Sequence, residues 1–256
     1  MKVKYLFLVA FLVVAVVAMQ VCAQEVSTVN VVGFNRITVP PASYVMVGLQ
    51  LDSVNGETNT LAQIFGTNTL RSGGGGDPAQ SDVVWMWNTS QTKYDKYMMG
   101  PDFKYYNIDT WAEESPDVVP GQAFWIQSPS LGSYSSETNS FSFVGQIVNV
   151  ITQSTDVVLG WQQMAYGFSS EPVVNELDFD ADGATGNGDP SIADQIWFYD
   201  PLTTSYTTYF LGPDGNWYDK DTFALATGTV DMGQGFWYVA RAGFTWSETN
   251  KYIGGL

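Results

Sequence analysis

The 256-residue chain contains no histidine and a single cysteine, Cys22. Without histidine there is no imidazole base, no Ser-His-Asp triad and no histidine-ligated zinc site. With one cysteine there is no internal disulfide, so the fold must rest on its own core. Basic residues are also scarce, 10 Lys and Arg against 26 Asp and Glu. A chain this acidic repels phosphate backbones and anionic lipid, so nucleic-acid binding is not expected. What remains for chemistry is carboxylates, hydroxyls, phenols and a few cations.

The N-terminus reads as an export signal. Lys2 and Lys4 precede an apolar run from Tyr5 to Met19, and Val21-Cys22-Ala23 resembles a signal-peptidase site. The run is shorter than the roughly 20 residues that span a bilayer. The expected organisation is a signal peptide over 1–23, with no membrane span once it is removed. The expected location is secreted or at the cell surface. Cleavage removes the only cysteine and two lysines, leaving 8 basic against 26 acidic residues, a net charge of −18.

Beyond the signal, the chain matches itself at a shift of 112. "GDPAQSDVVWMWN" (76–88) aligns with "GDPSIADQIWFYD" (188–200), "YDKYMMGPDFKYY" (94–106) with "YTTYFLGPDGNWY" (206–218), and "PGQAFWI" (120–126) with "MGQGFWY" (232–238). Read as gapless, the same shift lays Val32-Gly33 on Val144-Gly145 and Gly48 on Gly160. It predicts a first β domain over 24–140 and a second over 141–256. Their segments are short, rich in β-branched and aromatic residues, and bounded by Gly, Pro, Asn or Asp. The expected fold class is all-β: two homologous antiparallel β-sandwich-like domains in tandem. Each has at most one short helix, at "TLAQIF" and "PVVNEL". "FVGQIVNVIT" reads as a strand bridging the two.

The elements "VNVVGFNRITVP", "GDP..ADQIWFYD", "YTTYF" and "GQGFWYVARAGFTW" resemble exported tandem-repeat proteins of environmental bacteria of verrucomicrobial type. The resemblance covers nearly all of the mature chain. It implies export and repetition, and brings no catalytic residues with it.

One stretch suggests a metal. "DFDADGATGNGD" (178–189) spaces its acids like the calcium loop of an EF-hand. Asp178, Asp180 and Asp182 would supply side-chain oxygens, Ala184 a carbonyl, and Asp189 the closing carboxylate to Ca2+. The competing reading is a solvated acidic turn: Asp189 is shorter than the usual closing Glu, and flanking helices are missing from the pattern. The 112 shift places Gly66, Asn68 and Leu70 opposite the first three acids, so the fold does not require them.

The aromatics offer a second chemistry. Trp85, Trp125, Trp197 and Trp237 are shared between the halves and have apolar neighbours on both sides, which predicts burial. Trp111, Trp217 and Tyr218 lie near turns and are the candidates for stacking against a sugar. The acids Asp82/Asp194, Asp102/Asp214 and Asp109/Asp221 are shared but read as turn or strand-start residues. The expected function is a non-enzymatic structural or adhesive β protein of the cell surface or extracellular matrix, with calcium stabilising it. A carbohydrate-binding module is second, and a carboxylate-based glycoside hydrolase third. The partners in view are an extracellular glycan, or a second copy joined head to tail.

Overall fold

The computed structural model describes residues 32–54, 59–66, 69–73 and 76–251. The segment read as a signal peptide, 1–23, lies outside them. None of the described helices is long and apolar enough to cross a membrane.

The first half runs β1 (Val32–Val39), β2 (Tyr44–Gly48), β3 (Leu51–Asp52), α1 (Leu61–Phe65), β4 (Val83–Asn88), β5 (Lys93–Met99), β6 (Tyr105–Asn107), β7 (Ala123–Gln127) and β8 (Asn139–Ile147). The second runs β9 (Thr152–Val157), β10 (Gly160–Ala165), β11 (Gln195–Asp200), β12 (Ser205–Leu211), β13 (Trp217–Asp219), β14 (Gly235–Ala240) and β15 (Phe244–Thr249). They form four antiparallel sheets: β1-β8-β3, β2-β7-β4-β5-β6, β10-β14-β11-β12-β13 and β15-β9. The protein is all-β, with one short α-helix among the described residues.

The two five-stranded sheets have the same strand order. β4, β5 and β6 recur 112 residues later as β11, β12 and β13, with identical lengths. Trp85 pairs with Trp125, and Trp197 with Trp237. Outside that block the gapless register fails. Gly48 pairs with Ala123 as Ala165 pairs with Gly235, so the counterpart of Gly48 is Ala165, at a shift of 117, and not Gly160. Gly33 and Gly145 are cross-strand partners in β1 and β8 rather than counterparts. β8 runs across the boundary expected at 140/141, ends at Ile147, and is separated from β9 by a short connector, 148–151. "FVGQIVNVIT" is therefore the end of β8 and the connector that leads to β9, not one bridging strand.

Helix α1 forms where the sequence places its caps. The Thr60 hydroxyl accepts from the Gln63 backbone N–H at 3.3 Å, and Gln63 Oε1 accepts from the Thr60 N–H at 2.8 Å. Gly66 ends it at φ +61°. "PVVNEL" gives only a 3-10 turn, Val174–Glu176.

Each large sheet is buried on both faces. On β7, Phe124 and Ile126 join the core beneath β1 and β8, while Ala123 and Trp125 point the other way. On β14, Phe236 and Tyr238 face a core closed by β9 and β15, and Trp237 points away. The outward residues of both sheets meet in a third, shared layer of Met46, Ala123, Trp125, Ala165 and Trp237, with Trp85, Trp87, Tyr94, Trp197 and Tyr199 packed against it. Two-sided burial is why these strands read as nearly continuous apolar runs instead of alternating.

The halves meet by a reciprocal contact. The Gly48 N–H donates to the Gly233 carbonyl, and the Ala165 N–H to the Gly121 carbonyl, each at 2.8 Å. Since 165 answers 48 and 233 answers 121, one contact is the other with the halves exchanged. This is the self-complementary geometry of a two-fold interface, here within one chain.

A candidate aromatic binding cleft

The shared layer opens at one end into a cleft of about 350 Å³ lined by Tyr44, Trp85, Tyr94, Trp125, Tyr199 and Tyr206. Its size falls at the lower end of small-molecule sites. Four lining residues come from the first half and two from the second, so the junction itself builds the site. Period-2 alternation on β4 and β5 sends Trp85 and Tyr94 away from their own core, and β7 does the same with Trp125.

The rings stand edge to face. Tyr44 lies 6.2 Å from Trp85 and 6.4 Å from Trp125, with planes at 74° and 86°. Trp85 meets Tyr94 at 5.4 Å and 82°, and Trp125 meets Tyr199 at 5.0 Å and 79°. Such pairs are the favoured quadrupole arrangement and hold each ring's orientation. Hydrogen bonds fix two indoles further. Trp85 Nε1 donates to Gln127 Oε1 at 3.0 Å, and Trp125 Nε1 to the Tyr94 hydroxyl at 3.1 Å. Burial pushes the Tyr94 phenol up to about 12, and burial also raises Tyr199 and Tyr206. These three phenols are neutral near pH 7, each able to donate and accept. The Lys96 ammonium lies 4.7 Å from the Trp85 ring centroid, a cation–π contact.

The sites expected from the sequence are placed differently. In the acidic stretch the structural centre is Phe179, fully buried and stacked between Trp246 at 4.2 Å and Tyr238 at 4.6 Å. The acids around it take separate partners. A carboxylate oxygen of Asp182 accepts from the Ser247 N–H on β15, and the Asp178 N–H donates to Glu248 at 3.0 Å. Asp189 accepts from the Ser191 N–H at 2.8 Å, in its own turn, and is exposed, as is Asp180. Ala184 packs against the core. Among the described residues, no group of three or more His, Cys, Asp or Glu is arranged to hold a metal ion.

Trp217 is 1% exposed and packs on Phe179 and Tyr238, so it cannot serve as a sugar platform. β13 turns it inward and its neighbour Tyr218 outward, where the hydroxyl donates to Asp214 at 2.7 Å. Trp111 is exposed at a left-handed turn position (φ +57°), apart from the cleft. Trp125 and Trp237 are buried as expected, whereas Trp85 and Trp197 are half-buried. The shared acids are structural. Asp82 accepts from Arg71 Nη2 at 2.9 Å and Asn139 at 2.8 Å, and Asp194 accepts from the Tyr238 hydroxyl at 2.8 Å. Asp102 accepts from the Tyr106 hydroxyl as Asp214 does from Tyr218.

Sequence reasoning did not single out Tyr44, Tyr94, Tyr199 or Tyr206. Tyr94 and Tyr206 are identical at the 112 shift, so the signal was present. It did not separate residues shared for the core from residues shared for a second face.

No protein-family model, curated protein or solved structure matches the chain.

Proposed function

We propose that this is an exported, non-enzymatic carbohydrate-binding protein that seats a neutral sugar in the cleft of Tyr44, Trp85, Tyr94, Trp125, Tyr199 and Tyr206. The observation that supports it is the lining itself: aromatic rings for the apolar C–H faces of a pyranose, with phenolic hydroxyls beside them for its hydroxyls. The six lining side chains are uncharged, which suits a neutral ligand. A quaternary ammonium is less favoured, because the Lys96 ammonium already occupies the π system of Trp85. This reading takes precedence over a purely structural role because Trp85 lines an opening instead of closing a core. Adhesion remains a consequence of it, since a surface protein that grips glycan adheres through that site.

The test is tryptophan fluorescence and calorimetry with soluble neutral oligosaccharides, alongside tetramethylammonium and acidic sugars. A neutral saccharide is expected to bind. Trp85→Ala should weaken it by roughly 30-fold, the effect of removing an aromatic anchor worth about 2 kcal/mol. Binding of tetramethylammonium alone would make the cleft a cation cage. No binding by any probe would return the protein to the structural reading.

A further inference from the structure

The cleft has a counterpart across the junction. Exchanging the halves converts Tyr44 to Trp161, Trp85 to Trp197, Tyr94 to Tyr206, Trp125 to Trp237, Tyr199 to Trp87, and Tyr206 to Tyr94. The exchange holds in the contacts. The 5.0 Å pair Trp125–Tyr199 is answered by Trp237–Trp87 at 5.3 Å, and Trp85–Tyr94 at 5.4 Å by Trp197–Tyr206 at 5.7 Å. The pairs of Tyr44 with Trp85 and Trp125 are answered by Trp161 with Trp197 and Trp237.

Residue type differs at two of the six positions. Tyrosines 44 and 199 of the open cleft are answered by Trp161 and Trp87. The approach is at Trp161, while the pairs Trp87–Trp237 (5.3 Å) and Trp197–Tyr206 (5.7 Å) are slightly wider than their counterparts at 5.0 and 5.4 Å. Trp161 is 5.3 Å from Trp197 and 5.8 Å from Trp237, where Tyr44 keeps 6.2 and 6.4 Å. Trp87 ties the two walls to each other. Its Nε1 donates to the Trp161 carbonyl at 2.8 Å, and its backbone N–H donates to Gln163 Oε1 at 3.0 Å.

We infer that the protein carries a pair of clefts related by its internal two-fold, one open and one closed by Trp161 and Trp87, so that one ligand is bound per chain. Residues 44 and 199 keep the first cleft open, and 161 and 87 are the specificity positions that shut the second. A chain with two equivalent halves thereby becomes monovalent at this site. That the occupant is a sugar rests on the reading above. The opening and closing do not, and can be measured without a ligand.

The experiment is a crystal structure of the double variant Trp161→Tyr, Trp87→Tyr and of the unaltered protein, each before and after soaking in D-glucose, the simplest neutral pyranose. The variant is expected to show a second cleft matching the first. Glucose is expected in one cleft of the unaltered protein and in both clefts of the variant. A second cleft that stays shut in the variant overturns the inference, whatever happens to glucose. A second cleft that opens while glucose enters neither supports the closure and overturns the carbohydrate reading. The reciprocal variant, Tyr44→Trp with Tyr199→Trp, covers the case in which the first does not fold. It should fill the open cleft and exclude glucose from it, and an unchanged cleft there would again overturn the inference.

Discussion

Glu248 occupies a position filled by a phenylalanine in the first half. It pairs with Gln153 as Phe143 pairs with Asn35. The side chain is buried, with one oxygen taking the Asp178 N–H and the other 3.4 Å from Lys251 Nζ. Burial pushes its carboxyl up to about 7 from an ordinary 4.5. A carboxyl whose folded value is raised holds its proton in the native state after the unfolded chain has lost it. The contribution of Glu248 to stability is therefore full below pH 4.5, falls as pH rises to about 7, and is flat above. The full fall is about 3 kcal/mol at ~1.4 kcal/mol per unit. Glu248→Gln should abolish that slope in urea unfolding and raise stability at pH 8; an unchanged slope would show that Glu248 is not its source. At the same scale, Trp125 and Trp85 should separate. Trp125→Ala removes a buried ring and should cost about 3 to 5 kcal/mol. Trp85→Ala, half-exposed at the cleft wall, should cost less stability and more binding. Chemical denaturation beside saccharide titration checks both.

The acidic loop has its meaning as an element. In the first half, the far edge of β8 is paired by β3. In the second half, β15 has β9 on one side, and the 178–183 turn lies along the other, with Asp182 accepting the Ser247 N–H. Acids blunt an edge that would otherwise present unpaired donors. Phe179 anchors the turn by stacking between Tyr238 and Trp246. Phe179→Ala should cost about 3 to 5 kcal/mol as a large-to-small core change, measured by thermal or urea unfolding. Asp182→Ala should lower the melting temperature equally with calcium and with chelator. A loss confined to calcium-containing buffer would show instead that the carboxylate serves an ion. The repeated hairpins illustrate local coding. "GPDFK" and "GPDGN" both close turns in which an Asp accepts from a Tyr hydroxyl four residues on. The helix was legible because Thr60, Gln63 and Gly66 cap it locally, whereas "PVVNEL" lacks that full set and stops at a 3-10 turn.

Across the whole molecule, the smallest residues mark where the halves cross. Gly48 meets its counterpart Ala165, and Gly235 meets its counterpart Ala123. A Cβ on Gly48 would stand 2.4 Å from Ala165 Cβ and 2.7 Å from the Gln234 carbonyl. Backbone cannot yield cheaply there, so Gly48→Ala should cost about 1 to 3 kcal/mol by overpacking and lower the melting temperature. It should also perturb the cleft, because the two walls are set by that crossing. A variant as stable as the parent would show that the halves can slide apart without cost.

The sequence by itself determined the all-β class, the near absence of helix, the helix at "TLAQIF", and the 112 spacing of the central strands. These follow from local rules: β-branched and aromatic runs, turn residues, and caps within a few positions of one another. It also marked the burial of Trp125 and Trp237, because strands apolar on both faces need two layers. Only the tertiary structure decided which second face each strand meets. The identity of Trp85 and Trp197 is the same whether a ring closes a core or lines a cleft; the difference lies in what the opposite half places against it. The spacing of Asp178, Asp180 and Asp182 matches a calcium loop, but the Asp182 carboxylate is taken by the Ser247 N–H of β15, more than sixty residues away. The cleft exists because two similar halves meet around an internal two-fold, and long-range packing of that kind leaves no mark at any single position of the chain.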